Sequence, residues 1–381
     1  MPQTKNLIGR KSNKAFMILS ALGIMGVVNT HFGQPVEFLT DIFPYDSYVM
    51  PMFTFISGYF FKESYCGGWK QITRYALGKA RKLLLPFLGW VVFYEVLSGI
   101  LFNAGIWNIP ALSPRDVIYG LLTSGITSAF NSPAWFAPLL FVLCIGYSIL
   151  RLLFRRVWNE HVAMVLLIAV GCGGIALARS DFNVPLHLMI LKVLFFLQFL
   201  HLGFYFHKFL ESGFDRCNSI LVCIASVLIN LALIAHYGNA IKFPICSVMG
   251  GFSSDNLLLP LVTSITGIAF WLKVSKSLVP LLGQSKLVNY ISDNTFFIMT
   301  HHIGIKHVFI ALCLLAYENG ISAFSGIDKQ QFLSDGLYQY DVHSWCNPLC
   351  LLFTMVLLIL TCKLCDTIKN KLSRIQATKQ P

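Results

Sequence analysis

Ten stretches of roughly 20 mostly apolar residues recur along the chain, the length a helix needs to cross a bilayer. They fall at about 15–33, 47–66, 83–104, 133–153, 160–178, 184–207, 217–238, 257–274, 287–316 and 347–365. The ninth is long and broken by polar residues. Residues 107–127 are only half apolar and carry Pro110 and Pro114, so they read as a surface or re-entrant piece.

Composition supports this. Charged residues make up 12% of the 381 residues and hydrophobic ones 56%, with a mean hydropathy of +0.66. A soluble domain carries roughly twice that share of charge. The chain cannot cover a soluble surface, and it is neither a disordered chain nor a disulfide scaffold. The expected fold is an all-α polytopic membrane protein of about ten transmembrane helices.

The net charge of +12 is explained by topology. Of the 29 Lys and Arg residues, 23 lie in the amino terminus, the carboxyl tail and alternate loops, whereas only Arg115, Arg179, Lys242 and Lys329 lie on the opposite side. This positive-inside bias places both termini in the cytoplasm, and nucleic acid is not needed to account for it. The organisation is a cytoplasmic amino terminus (1–14), one membrane domain (15–365) and a basic cytoplasmic tail (366–381). The first apolar segment ends in Asn29-Thr30-His31 without a small-x-small cleavage site, so it reads as a retained helix. The 11 cysteines, including Cys362-x-x-Cys365, are scattered and read as small apolar packers. No ligand cluster calls for a metal.

Ionisable groups inside spans are costly and are candidates for function. Here they are His31, Glu95, Lys192, His201, His301, His302, Lys306 and His307. At 1.5 Å per residue, His31 lies about 25 Å above Lys14, Glu95 about 20 Å above Lys82, and His301 and His302 some 22 Å above Lys286. Four helices thus bring titratable groups to one level, which suggests a polar cavity opening outward. Each group can also be a satisfied interhelical hydrogen bond. Of two adjacent histidines on a helix, one can face a cavity while the other packs, since neighbours point about 100° apart. Depth alone does not separate an enzyme from a proton-coupled carrier.

Five ordered blocks carry more information. They are Gly26-Val27-Val28-Asn29-Thr30-His31, then Met50-Pro51-Met52-Phe53-Thr54-Phe55-Ile56-Ser57-Gly58-Tyr59-Phe60-Phe61, then Lys79-Ala80-Arg81-Lys82-Leu83-Leu84-Leu85-Pro86-Phe87-Leu88-Gly89-Trp90, then Pro133-Ala134-Trp135-Phe136-Ala137-Pro138-Leu139-Leu140, and finally Asn294-Thr295-Phe296-Phe297-Ile298-Met299-Thr300-His301-His302. Over about residues 10–365 the chain resembles the membrane acyltransferase-3 family, in the branch of fucose 4-O-acetylases and polysaccharide O-acetyltransferases. The resemblance implies a ten-helix enzyme of a bacterial cytoplasmic membrane. Such an enzyme takes an acyl group from cytoplasmic acyl-CoA and gives it to a hydroxyl of an extracytoplasmic or lipid-linked glycan.

The resemblance makes His31 the first catalytic candidate, as base or nucleophile, both of which suit a neutral imidazole; the other reading is a structural histidine. His301, His302 and Glu95 are further catalytic candidates. Where the family often has a basic residue ten or eleven positions before the histidine, this chain has Ala21 and Ser20. Lys79, Arg81 and Lys82, with Arg74, match the family's basic cluster and are candidates to hold the CoA phosphates; they also serve as positive-inside flanks. Ser57 and Gly58 either let helices approach closely or let the pantetheine arm pass. Trp135 and Phe136 read as an aromatic belt at the outer interface or as a glycan-stacking pair. The expected activity is O-acyl transfer, most simply O-acetyl transfer from acetyl-CoA without a metal, onto a cell-surface or secreted polysaccharide or its lipid-linked precursor. The rival is a carrier exporting a glycan precursor or small metabolite.

Overall fold

The computed structural model describes residues 14–243, 256–335 and 340–377. Apart from Lys14, the expected amino-terminal segment 1–14 lies outside them, as do the last four residues of the expected tail. The described residues contain helices and no strand.

A helix occupies each of the ten expected segments. In order the main helices are α1 (Lys14–Thr30), α2 (Tyr45–Tyr59), α3 (Trp69–Lys79), α4 (Leu85–Asn103), α5 (Pro114–Leu122), α6 (Phe136–Leu153), α7 (Glu160–Ala178), α8 (Leu188–Tyr205), α9 (Ser219–Tyr237), α10 (Leu259–Ser277), α11 (Lys286–Asp293), α12 (Thr295–Glu318) and α13 (Asn347–Ala377). The interrupted ninth segment resolves into α11 and α12. Among the described residues seven helices are long and apolar enough to cross a membrane, those built on α4, α6, α7, α8, α9, α12 and α13. α1, with 17 residues, and α2, with 15, are shorter. α10 is long enough but diluted by Thr263, Ser264, Thr266, Lys273 and Ser275, all buried in the bundle. The chain is an all-α polytopic membrane protein.

Helix contact in lipid is set by close approach and hydrogen bonding, because lipid tails are as apolar as leucine. α2 crosses α8 with both effects in play. A Cβ at Gly58 would run into the Leu200 carbonyl oxygen, and one at Gly203 into the Phe55 carbonyl oxygen. The two backbones touch where only glycine fits. Pro51 lies inside α2 and cannot donate to the Ser47 carbonyl. Ser264 of α10 offers a donor, its hydroxyl 2.8 Å from the Ser47 oxygen and 2.7 Å from the Pro260 oxygen of its own helix, which share its one proton. A helix defect is thus repaired in part by a neighbour, as membrane burial demands.

α3 continues into α4 through a π turn at Ala80–Leu84. The turn directly precedes Pro86, which cannot donate to the Lys82 carbonyl. Around this basic end of the bundle, charged side chains pair across loops. Arg151 bonds Glu160 at 2.7 Å, Lys208 bonds Glu63 at 2.6 Å and Lys276 bonds Asp215 at 2.5 Å.

Candidate active site

At the end of the bundle remote from the basic loops, α1 stops at Thr30 and the chain folds back. The Asn29 side chain fixes this turn. Its Nδ2 donates to the Val36 carbonyl at 2.9 Å and its Oδ1 accepts from the Val36 amide at 3.1 Å. Gly33 follows with φ of +69°, and a Cβ there would run into the Asn347 side chain. The turn therefore requires glycine on two counts.

His31 is held at this corner against α12. His31 Nδ1 lies 3.0 Å from His302 Nε2, with ring centroids 4.9 Å apart. The pairing sets the tautomers. His302 Nδ1 lies 3.0 Å from the Ile298 carbonyl, which can only accept, so in the neutral ring that nitrogen carries the proton. His302 Nε2 must then accept, and His31 Nδ1 donates to it. With Nδ1 donating, the basic nitrogen of neutral His31 is Nε2; the Val27 carbonyl is a further hydrogen-bond partner of the ring. Lys306, one turn along α12, donates to the His31 carbonyl at 2.9 Å and pairs with Asp341 at 2.8 Å. The basic side chain beside His31 thus comes from α12 rather than from the Ser20 or Ala21 positions of α1.

His31 lines a small cavity of about 70 Å3 together with Thr30, Tyr45, Asp46, Pro133 and Trp135. Trp135 and Phe136 are both buried, so neither forms a lipid-facing belt. The Lys192 ammonium sits 4.1 Å from the centre of the Trp135 ring and donates to the Ser124 carbonyl at 2.6 Å. Phe136 turns away from the cavity and packs against Phe196, centroids 6.1 Å apart.

The two adjacent histidines divide as helix geometry requires. His302 faces His31, whereas His301 faces α4, its Nδ1 2.7 Å from the Tyr94 hydroxyl and its ring edge-on to Trp90. Glu95 does not join them. It is half-buried, and its Oε2 accepts from the Leu112 amide at 2.5 Å, tying the connection before α5 to α4. Tyr94, beside Glu95, is the residue that reaches the histidines. A tyrosine in an apolar run gives no signal in the sequence.

At the opposite end, Lys70, Arg74 and Arg81 line a concavity of about 580 Å3 with Thr73, Leu77 and Gly78. Their spacing puts them on one face of α3 and the π turn. Among the described residues none of the three makes an ion pair, in contrast to the paired charges nearby. Lys82 is exposed but outside this lining, and the Lys79 ammonium lies over Tyr75, 5.7 Å from the ring centre. Ser57 turns its hydroxyl back to the Phe53 carbonyl at 3.0 Å, within its own helix. The basic and histidine ends are separated by the length of α1, about 25 Å.

A separate apolar groove of about 500 Å3 runs beside α1, lined among others by Leu19, Gly26, Tyr48, Met52 and Trp271. Its lining comes from α1, α2, α10, α13 and nearby loop residues, with none from α3 or α4, so it does not join the basic concavity to His31. Among the described residues no group of three or more His, Cys, Asp and Glu side chains is placed to hold a metal ion.

A helical membrane bundle with paired histidines at one end and an unpaired basic concavity at the other defines a membrane protein with a buried histidine centre. Residues 14–324, well over half of the chain, match the acyltransferase domain model of the acyltransferase-3 family. The protein belongs to this family and is a multi-pass membrane acyltransferase. No curated protein and no solved structure matches the chain significantly.

Proposed function

We propose that the protein is an O-acyltransferase, using acetyl-CoA as donor and a hydroxyl of a cell-surface or secreted polysaccharide, or of its lipid-linked precursor, as acceptor. It works in a bacterial cytoplasmic membrane with both termini inside. The observation that carries this reading is the His31–His302 pair, which leaves Nε2 of His31 as the basic nitrogen at a cavity.

In this reading His31 Nε2 takes the proton of the acceptor hydroxyl as its oxygen attacks the thioester carbonyl. The carbon–oxygen bond forms, the carbon–sulfur bond breaks, and the proton passes to the CoA sulfur. His302 holds the His31 ring in the required tautomer, and Lys306 fixes the backbone that carries it. Arg74 and Arg81, with Lys79 and Lys82 close by, hold the CoA phosphates on the cytoplasmic face, where charge-assisted hydrogen bonds are strong. Trp135, in the wall of the His31 cavity, contacts the acceptor.

The test is transfer of labelled acetyl from acetyl-CoA into surface glycan by membranes carrying wild type or His31→Ala. Incorporation that is lost in His31→Ala at equal protein level supports the reading. If neither protein transfers label while a glycan precursor crosses the membrane only when the protein is present, the chain acts as a carrier.

A further inference from the structure

We propose that the loop from Ser124 to Trp135 is the acceptor-recognition wall of this site, and that Thr127, Ser128 and Asn131 bind a neutral, hydroxyl-rich group, a sugar ring. The assignment of that sugar as acceptor rests on the acyltransferase reading above.

The loop is irregular up to Asn131 and closes in a 3-10 turn at Ser132–Trp135; it is polar and yet inside the protein. From Thr123 to Trp135 every residue is buried except Ile126 and Ala129, which are half-buried. Irregular backbone at membrane depth is tolerated where it is enclosed by protein or lines a polar cavity. This loop is also held in shape. Gly125 has φ of +80°, and a Cβ there would lie 2.8 Å from the Trp135 carbonyl oxygen, so the two ends of the loop touch. Lys192 ties down the Ser124 carbonyl from α8.

Both histidine neighbourhoods meet this loop. Pro133 and Trp135 line the His31 cavity. Phe130 stacks on Tyr94 with centroids 5.9 Å apart, and the Tyr94 hydroxyl bonds His301. The same loop carries Thr127, Ser128 and Asn131, each at most 2% exposed. The hydroxyls of Thr127 and Ser128 and both polar atoms of the Asn131 amide have no hydrogen-bond partner among the described residues. Trp107 Nε1, whose ring packs 5.2 Å from Phe130, and His301 Nε2 share that condition.

Buried polar atoms are almost always hydrogen-bonded in native proteins, to protein, water or ligand, and the concentration of such atoms in this one loop is where we place the sugar. Their chemistry narrows the ligand. Asn131 offers donors and an acceptor, and each hydroxyl offers both. A phosphate or carboxylate takes only donors, and a cation only acceptors. A sugar hydroxyl gives and takes one bond each, which suits this mixed, uncharged set.

The experiment uses the full-length protein in detergent, with oligosaccharides released from the producing strain's own surface polysaccharide as probe. Hydrogen–deuterium exchange should show residues 123–135 protected by the oligosaccharides and not by acetyl-CoA. Asn131→Leu should abolish that protection and raise the oligosaccharide KM about tenfold while the acetyl-CoA KM stays within twofold. If Asn131→Leu does not fold, Thr127→Val combined with Ser128→Ala carries the same expectation. Unchanged exchange in the loop together with unchanged oligosaccharide KM in a folded variant would overturn the proposal and leave bound water as the partner of these atoms. Protection without any acetyl transfer would keep the sugar site and remove the acyltransferase reading. Transfer with no protection and no KM effect would do the reverse.

Discussion

His302 approaches His31 from a different helix, Nε2 to Nδ1 at 3.0 Å, and its own Nδ1 is committed to the Ile298 carbonyl. This second bond makes the relationship directional: His302 accepts and His31 donates. His302→Gln keeps a side-chain acceptor and should retain more acetyl transfer than His302→Ala. Loss of the bond leaves a buried donor unpaired, about 1–3 kcal/mol, or roughly tenfold to a hundredfold in rate. His31→Ala should cost more, about 10²–10⁴-fold, the usual range for a general base. Equal rates for His302→Gln and His302→Ala would show that the tautomer is set elsewhere.

The unpaired cations of α3 and the π turn provide a second test. Arg74→Ala and Arg81→Ala should each raise the KM for acetyl-CoA about tenfold, the worth of a charge-assisted hydrogen bond. The increase should shrink at high salt, where exposed charges are screened. Lys82→Ala, outside the concavity, should have a smaller effect. A KM unchanged in all three variants would return these residues to a purely topological role.

Lys306 is almost fully buried and bridges His31 to Asp341 of the loop before α13. Lys306→Met should lower thermal stability in detergent by about 1–3 kcal/mol, the cost of unmet buried hydrogen bonds. Asp341→Asn should cost less, since that side chain is 36% exposed and solvent screens it. A double-mutant cycle between the two residues measures their coupling; coupling near zero would show that Lys306 serves the His31 carbonyl alone.

The crossing of α2 and α8 leaves no room for a side chain. Gly58→Val and Gly203→Val should each destabilise the protein by about 1–3 kcal/mol or more, the cost of overpacking. Gly146→Ala, where a Cβ meets nothing within 4 Å, is the control and should be neutral or slightly stabilising. Melting of the purified variants decides this, and a stable Gly203→Val would show that the helices can separate cheaply.

Runs of apolar residues located all ten segments, because a long run specifies a buried helix without help from its neighbours. Span length was less legible. α2 is shorter than its apolar run, and α10 gave a weaker signal because its polar side chains serve contacts such as Ser264 to Ser47. At the site, His31 and His302 were readable as costly buried groups, but their partnership joins residues 271 positions apart. Glu95 drew attention as a buried acid and instead supports a backbone amide, while Tyr94 next to it makes the contact with His301. The loop from Ser124 to Trp135 was the least legible part. It has neither a long apolar run nor charge, and its significance lies in side-chain atoms that find no partner.

From Ala15 to Val28 the buried side of α1 below His31 consists of Ala15, Phe16, Ile18, Leu19, Ala21, Gly23, Ile24, Gly26, Val27 and Val28. None has a side-chain atom on which a proton could hop. Between Lys14 at its start and Asn29 at the turn, the buried side of α1 therefore behaves as an electrical insulator. A proton on His31 finds no side-chain relay along this buried face back to the basic end.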